Sequence, residues 1–566
     1  MEIFRQEHPN PQWERKGFKN LNGEWEFDFD FGKSAVERKA YKSAALPRKI
    51  NVPFCPESKL SGIEYTDFIN AVCYRRTFEL TEKELSGRVI IHFGAVDFSS
   101  YIYINGEEAG RHTGGFSSFE FDITGHVQKG ENTVFVIAED DARSPFQPRG
   151  KQSESYFSKV CDYTRTTGIW QTVWLEFLPE NYIKNAKYYP DIKSGKLTII
   201  GEAVGGGRIS AAAFFNEKRM GETAAEILSG HFSLVLELSE TILWQPGEGN
   251  LYDLVLKFEE DEVKSYFGMR NICLDGMKFL INEKSVFQRL VLDQGFYPDG
   301  VYTAPTEADL IKDIEISIAA GFNGARLHQK VFEPRFLYHC DRLGYLVWGE
   351  YGNWGTDYRC GAAVENFACE WMEIIDRDFN HPAIIGWCPA NETWGYEEIN
   401  SRDRFLELIY KLTKRLDSTR PCIDTSGNYH AVTDIFDVHN YEQDTEKFKK
   451  QIEKLEKTGV IYDNFPNAQH YGGEPTFVSE YGGLGWNLDS DSWGYGDTPK
   501  TEEEFISRYK GLTDALLDSP SMFGFCYTQL YDIEQEKNGL YTYERNPKFS
   551  MEIFKKINSR KAKIED

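Results

Sequence analysis

The sequence predicts a multidomain chain: an N-terminal β jelly-roll, an immunoglobulin-like β-sandwich and a C-terminal (β/α)8 TIM barrel. Three observations carry this. Short β-rich runs fill the first part, with no long helical pattern among them. A second, smaller set of such runs follows. From about residue 273, apolar strands alternate with amphipathic helices, as expected when βα units close into a barrel. The expected boundaries are 1–180, 181–272 and 273–566.

The first part contains runs at 77–80, 89–93 and 101–104. Asn105-Gly106 follows directly, the pair that suits a type I′ hairpin because both central positions take positive φ. Further runs at 119–123 and 133–137 complete an antiparallel sandwich of jelly-roll type. In the second part, 196–200, 232–236 and 252–256 are strands of a size and spacing that suit an immunoglobulin-like fold. In the third, Thr306 offers a helix N-cap with Asp309 three residues on. Leu310, Ile314 and Ile318 then share one face, and Gly321 ends the helix. A strand into Arg326-Leu327-His328 follows, then a helix through Phe336 to Leu343 stopped by Gly344. Tyr345-Leu346-Val347-Trp348-Gly349-Glu350 is the next strand. A doubly wound sheet is the alternative, but no GxGxxG or Walker loop supports a nucleotide fold.

Composition narrows the function classes. The 566 residues carry a net charge of −25, the wrong sign for a nucleic-acid partner. The mixed-charge run from Lys447 to Lys457 reads as the solvated face of a surface helix. No run of about 18 apolar residues predicts a membrane span, and the start has no apolar core of a secretory signal. The ten cysteines show no CxxC pair. Cys388, Cys422 and Cys526 sit in apolar contexts, as buried thiols of a reducing, cytoplasmic compartment do. No Cys/His cluster calls for a metal, and no cofactor is expected.

The chemistry concentrates at two strand ends. Residues 383–387 form an apolar run leading through Cys388-Pro389-Ala390 to Asn391-Glu392. A second run, Pro475-Thr476-Phe477-Val478-Ser479, leads to Glu480. In one parallel barrel both carboxylates project at the same rim, and two carboxylates over one cavity are what glycosidic bond cleavage requires. Glu392, among aromatic and apolar neighbours, suits a general acid. Glu480 suits a nucleophile if donors such as Arg326 and Tyr441 keep it ionised. The plainer reading of each is an Arg–Glu pair fixing a strand end. Asn391 and His328 are candidate contacts to substrate hydroxyls, although such residues also serve as turn or structural groups. Glu350 and Tyr527 end neighbouring apolar runs. Trp354, Trp394, Trp486 and Trp493 offer flat faces to a sugar ring, with loop or core packing as the alternative.

These blocks, in this order, resemble glycoside hydrolase family 2, the β-galactosidase, β-glucuronidase and β-mannosidase group. The resemblance rests on Phe93-Gly94-Ala95-Val96-Asp97, Tyr103-Ile104-Asn105-Gly106, Thr167-Gly168-Ile169-Trp170-Gln171 and Phe322-Asn323-Gly324-Ala325-Arg326. It extends through Asp341-Arg342-Leu343-Gly344-Tyr345-Leu346-Val347-Trp348, the Asn380-His381-Pro382 to Asn391-Glu392 block, and Ser479-Glu480-Tyr481. It implies double displacement with retention, Glu392 as acid/base and Glu480 as nucleophile. Asn391 would hold the 2-hydroxyl and Tyr441 would contact the nucleophile. Asp162 sits where the first domain of some members reaches the site. Two departures matter. The first barrel strand reads Gln288-Arg289-Leu290-Val291-Leu292-Asp293, without the family's Arg-His-Glu ending. Where glucuronidases carry Asn-x-Lys before a late glycine, this chain has Glu536-Lys537-Asn538, and Glu536 would repel a substrate carboxylate.

The resulting expectation is an exo-acting retaining β-glycosidase on β-D-galactosides, with an oligosaccharide or other glycoside as its partner and a homo-oligomer compatible with the family. The alternatives are an α-L-arabinopyranosidase, then a β-mannosidase or β-glucuronidase. Outside enzymes, the alternative is a carbohydrate-binding protein on a hydrolase scaffold.

Overall fold

A computed structural model describes residues 3–227, 230–393, 399–427, 429–460 and 471–566. The N-terminal part is a sandwich of two antiparallel sheets. Six strands pair in the order Arg48–Val52, Gly23–Phe29, Ala71–Leu80, Gly130–Glu139, Ser99–Ile104 and Glu107–Thr113. Facing them are Lys19–Asn20, Val173–Leu178, Arg88–Phe93 and Phe119–Asp122. Trp25, Tyr74, Ile91, Val134 and Leu175 fill the space between. The hairpin at Asn105-Gly106 has φ values of 52° and 81°, the positive pair the sequence calls for.

A second sandwich follows. Its three-stranded sheet is Tyr182–Asp191, Lys196–Val204 and His231–Glu237. Its four-stranded sheet orders Lys218–Ile227, Gly207–Phe215, Tyr252–Phe258 and Asp261–Phe267. Strict alternation of buried and exposed residues along His231–Glu237 shows why one face of each strand had to turn inward.

The C-terminal part is a parallel barrel. Its strands run in the order Ile384–Cys388, Leu346–Glu350, Gly324–Leu327, Gln288–Asp293, Met522–Thr528, Thr476–Gly482 and Phe436–Asn440. Residues 421–426 take the eighth place. The Trp387 amide donates to Pro421 at 3.0 Å, Ser426 to Ala390 at 2.9 Å, and Asp434 to Cys422 at 3.0 Å. Two glycines allow the strands Leu346–Glu350 and Ile384–Cys388 to interleave their tryptophans. A Cβ at Gly349 would stand 2.7 Å from the Trp387 ring, and one at Gly386 would stand 2.3 Å from Trp348. The helix Glu307–Ala319 begins with the expected capping box at Thr306 and Asp309. Pro334–Leu343 ends on Gly344 at φ 65°. Thr445–Thr458 buries Phe448, Ile452 and Leu455 and leaves its lysines in solvent.

All ten cysteines are free thiols; Cys388, Cys422 and Cys526 are buried as expected, whereas Cys273 and Cys369 are exposed. No described helix is long and apolar enough to cross a membrane.

Candidate active site

Strands of this barrel are buried along nearly their whole length, and the polar residues of its rim gather at the C-terminal strand ends. Arg326 lies in the strand Gly324–Leu327, Glu350 ends the next, and Glu480 lies in Thr476–Gly482. Asn391 and Glu392 follow the strand that ends at Cys388. Glu392 takes φ 50°, a conformation that costs a non-glycine residue about 1–3 kcal/mol. Its amide is held there by Ser426 O at 2.8 Å. The turn redirects the chain at the carboxylate the sequence singles out.

The two carboxylates meet. Oxygen and nitrogen atoms of Glu392, Glu480 and His439 all lie within 4.8 Å of one another. His439 Nδ1 stands 2.8 Å from Glu392 Oε1 and 3.4 Å from Glu480 Oε2. Among the described residues this is the one group close enough to bridge a metal ion, yet each member already has protein partners. Glu480 Oε1 receives Arg326 at 3.1 Å and its Oε2 receives the Tyr441 hydroxyl at 2.5 Å. Tyr441 is stacked on Tyr495 with ring centroids 3.6 Å apart.

Electrostatics separates the groups. Burial works against ionising Glu480, but His439, Arg326 and the Tyr441 hydrogen bond outweigh it and hold the carboxyl down at about 2. Burial and the Glu480 charge push the Tyr441 phenol well up, so it remains a donor. Burial lifts Glu350 to about 7 despite its ion pair with Arg326 at 2.7 Å. Burial likewise pushes His328 well below the usual histidine range, and its Nδ1 contacts Glu350 at 3.0 Å. The imidazole of His439 moves the other way. Its burial is outweighed by Glu480 and Glu392, and its pKa rises.

Asn391 is anchored on three sides. Arg326 donates to its Oδ1 at 3.1 Å, its amide donates to Asn353 Oδ1 at 2.9 Å, and its carbonyl accepts from Trp354 Nε1 at 3.2 Å. Its Nδ2 is buried without a partner. An orphaned buried donor costs about 1–3 kcal/mol, which a substrate hydroxyl would relieve.

The first sandwich contributes directly. Gly150 comes so close to the barrel that a Cβ there would stand 2.2 Å from Gln329 O. Arg149 N and Gly150 N donate to Trp354 O and Gly352 O at 2.7 and 3.1 Å. This docking carries Lys151 to the rim, with Nζ 3.9 Å from the centre of the Trp354 ring. Burial opposes the ammonium, but the Cys161 sulfur and the carboxylates of Glu536, Glu392 and Glu480 raise its pKa. Glu536 itself accepts from the Tyr163 hydroxyl and from Asn538 Nδ2.

The candidates therefore divide. Arg326, His328, Glu350, Asn391, Glu392, Tyr441, Glu480 and Trp354 come together. Asp162 is nearby but spent on an ion pair with Arg149 at 3.3 Å. Trp486 packs against Phe505 and Phe549 at 5.8 and 5.2 Å, and Tyr527 is wholly buried against Tyr481 and Tyr509. Tyr527 is a core group, and Trp486, in the loop beyond Gly482, is half-buried against that core. Trp493 donates to Val160 O of the first sandwich. Trp394 lies outside the described residues. His439, Lys151, Asn353 and Glu536 join the site without having been predicted as substrate or catalytic groups. His439 was visible at a strand end, two residues before Tyr441; Lys151 had no such signal.

Comparison with known proteins places both ends of the chain in one family. Residues 18–179 match the sugar binding domain of the glycosyl hydrolases family 2, and residues 273–562 match the TIM barrel domain of the same family. A β-galactosidase of Thermoanaerobacter pseudethanolicus is 26% identical over 431 residues, 71% of this chain and 53% of that protein. The chain thus spans about half the length of that relative. A β-glucuronidase of Paenibacillus borealis is 24% identical over 594 residues, covering 94% of this chain and 95% of the relative. Among solved structures, a β-glucuronidase from an uncultured Clostridium superposes with a TM-score of 0.80 at 22% identity, over 96% of this chain and 98% of that one. With both matched regions in register with the fold and the paired carboxylates, the chain belongs to glycoside hydrolase family 2.

Proposed function

We propose that this chain is an exo-acting retaining β-glycosidase, organised as the three units 1–180, 181–272 and 273–566, whose first substrate class is β-D-galactosides. One observation carries the reading: carboxylate oxygens of Glu392 and Glu480 lie within 4.8 Å of each other. Retaining enzymes place their carboxyl groups about 5–5.5 Å apart, and inverting ones about 6.5–9.5 Å to admit a water. Glu480, kept ionised by its donors, attacks the anomeric carbon. Glu392 protonates the departing oxygen, then takes a proton from the water that frees the enzyme. Asn391 Nδ2 is the donor placed for the 2-hydroxyl.

A neutral sugar is favoured because the buried Lys151 ammonium already has Glu536, Glu392 and Glu480 around it. A uronate would add another negative charge to that group. The second reading, a β-glucuronidase, is favoured by the names of several similar proteins and by Lys151 itself, a cation with no hydrogen-bond partner among the described residues. A panel of 4-nitrophenyl β-galactoside, α-L-arabinopyranoside, β-glucuronide and β-mannoside decides. Turnover of the galactoside above the others supports the proposal, and turnover of the glucuronide alone reverses it. Glu480→Gln must abolish release of nitrophenol while the fold survives. Activity within about tenfold of the parent, under about 1.4 kcal/mol of barrier, would refute the assignment.

A further inference from the structure

His439 is the least explained group at this site. It lies one residue before the end of the strand Phe436–Asn440, with Nδ1 between the two catalytic carboxylates, 2.8 Å from Glu392 and 3.4 Å from Glu480. Its other nitrogen, Nε2, is 3.0 Å from Ser426 Oγ. That hydroxyl has one hydrogen, and Asp437 Oδ2 claims it at 2.7 Å. Asp437 also accepts from Ser479 Oγ and, at 3.2 Å, from the Gly427 amide. Its other oxygen is 3.0 Å from His430, which Asp424 holds at 2.7 Å on the opposite side. Asp437 is therefore an acceptor only, and Ser426 Oγ, which also lies 3.0 Å from Ser479 Oγ, points its hydrogen at Asp437 in the arrangement that satisfies the most partners. In that arrangement Nε2 carries a proton and donates it to Ser426.

The tautomer follows. With Nε2 protonated, a neutral imidazole would aim the bare lone pair of Nδ1 at two carboxylates. One proton on the line between Nδ1 and Glu392 Oε1 removes that conflict. Glu480 does not need it, because Arg326 and Tyr441 already donate to its two oxygens. The charged and titratable groups facing His439 include Glu392 beyond the strand Ile384–Cys388, Glu480 on the adjoining strand, Asp437 through Ser426, Arg326 from the strand Gly324–Leu327 and Glu350 from the strand Leu346–Glu350. His328 is neutral.

We propose that His439 is the proton partner of Glu392: the two share one proton, and this proton leaves with the aglycone oxygen. The inference rests on the retaining-glycosidase reading and adds a third group to it. In the first step a Glu480 oxygen bonds to the anomeric carbon as the bond to the leaving oxygen breaks. The shared proton passes through Glu392 to that oxygen, leaving neutral His439 and ionised Glu392. Conversion of Glu480 to a neutral ester removes one of the two negative charges that stabilise the imidazolium. His439 therefore becomes more acidic as Glu392 must give up a proton. In the second step water gives a proton to Glu392, its oxygen bonds to the anomeric carbon, and the bond to Glu480 breaks. The shared proton and both resting charges are restored.

The test separates a proton partner from a structural prop by varying the leaving group. His439→Asn keeps a donor near the Nδ1 position but cannot ionise. It is compared with the parent on the 2,4-dinitrophenyl and methyl glycosides of whichever sugar the parent hydrolyses. The dinitrophenolate leaves without a proton, so the variant should stay within about fivefold of the parent there. On the methyl glycoside kcat/KM should fall about 100-fold or more, the usual weight of general acid catalysis. Equal losses on both substrates, or no loss on either, would overturn the proposal. Should His439→Asn not fold, His439→Gln takes its place. The parent supplies an independent readout. In 15N-histidine-labelled protein at pH 7, one buried imidazolium should become neutral when Glu480 is trapped as its 2-deoxy-2-fluoroglycosyl ester. An imidazole unchanged by trapping would also overturn it. If the parent cleaves no aryl glycoside, the retaining-glycosidase reading fails, whereas a parent that turns over with His439→Asn equal to it sinks only this inference.

Discussion

Tyr441→Phe tests whether Glu480, the proposed nucleophile, is held by the contacts described. The substitution removes one oxygen, which donates to Glu480 Oε2 at 2.5 Å and meets Thr528 Oγ1 at 3.1 Å. The ring remains stacked on Tyr495, 3.6 Å away and 4° from parallel, so packing is conserved. A hydrogen bond to a charged group contributes about 1.5–3 kcal/mol. Arg326 and His439 stay in place, so Glu480 remains ionised at neutral pH. Its pKa, about 2 in the parent, should rise by about one to two units, since one unit equals about 1.4 kcal/mol. The consequence differs between the two steps. In the first, Glu480 loses charge, and a donor to the free carboxylate stabilises the ground state. In the second, the carboxylate is the leaving group, and the same donor stabilises the transition state. Loss of the hydroxyl should therefore slow ester hydrolysis about 10- to 150-fold. Stopped-flow release of nitrophenol should then show a burst followed by a slow steady state, and the acidic limb of the pH–rate profile should move upward. A variant with no burst, kcat within threefold and an unmoved acidic limb would refute the assignment of this hydrogen bond.

The remaining predictions concern the acid, the hub and pH. Glu392→Ala should lose turnover of poor leaving groups and regain it with azide on activated ones, with the glycosyl azide as product; failure of azide to accelerate the variant would count against the acid role. Arg326→Met leaves Glu350 and Glu480 buried without their shared cation and should lower stability by about 3–5 kcal/mol in denaturant titration; an unchanged midpoint would mean the ion pairs contribute little. His430 lies buried between Asp424 and Asp437, and against the effect of burial their carboxylates raise its pKa to about 10. Because the folded value exceeds the usual 6.5, its stabilisation is complete below that pH and is lost as pH rises toward 10. Removing the imidazole with His430→Gln should flatten the pH dependence of the melting temperature between these limits.

Much of the fold was legible because its signals are local. The positive-φ pair at Asn105-Gly106, the capping box at Thr306 and the stop at Gly344 each involve residues a few positions apart, and the structure places all three as read. The paired glutamates were legible for a similar reason: an apolar strand ending in a carboxylate is a contiguous pattern, and barrel geometry brings strand ends to one rim. Trp486 and Tyr527 show where that reasoning fails. Sequence placed them near strand ends, but whether an aromatic faces the cavity or the core depends on neighbours distant in the chain, here Phe549, Phe505 and Tyr509. Lys151 was invisible for the opposite reason. Nothing around it in sequence marks a site, and only docking of the first sandwich against Gly352 and Trp354 brings it there.

Sequence alone determined the order of architectures and marked two carboxylates that the structure brings together, because both are written in periodicity and in short contiguous blocks. Tertiary structure decided how Glu480 is charged. The donors that hold Glu480 ionised and the imidazole beside Glu392 come from separate strands, and a pKa depends on distances and burial that the order of residues along a chain does not contain.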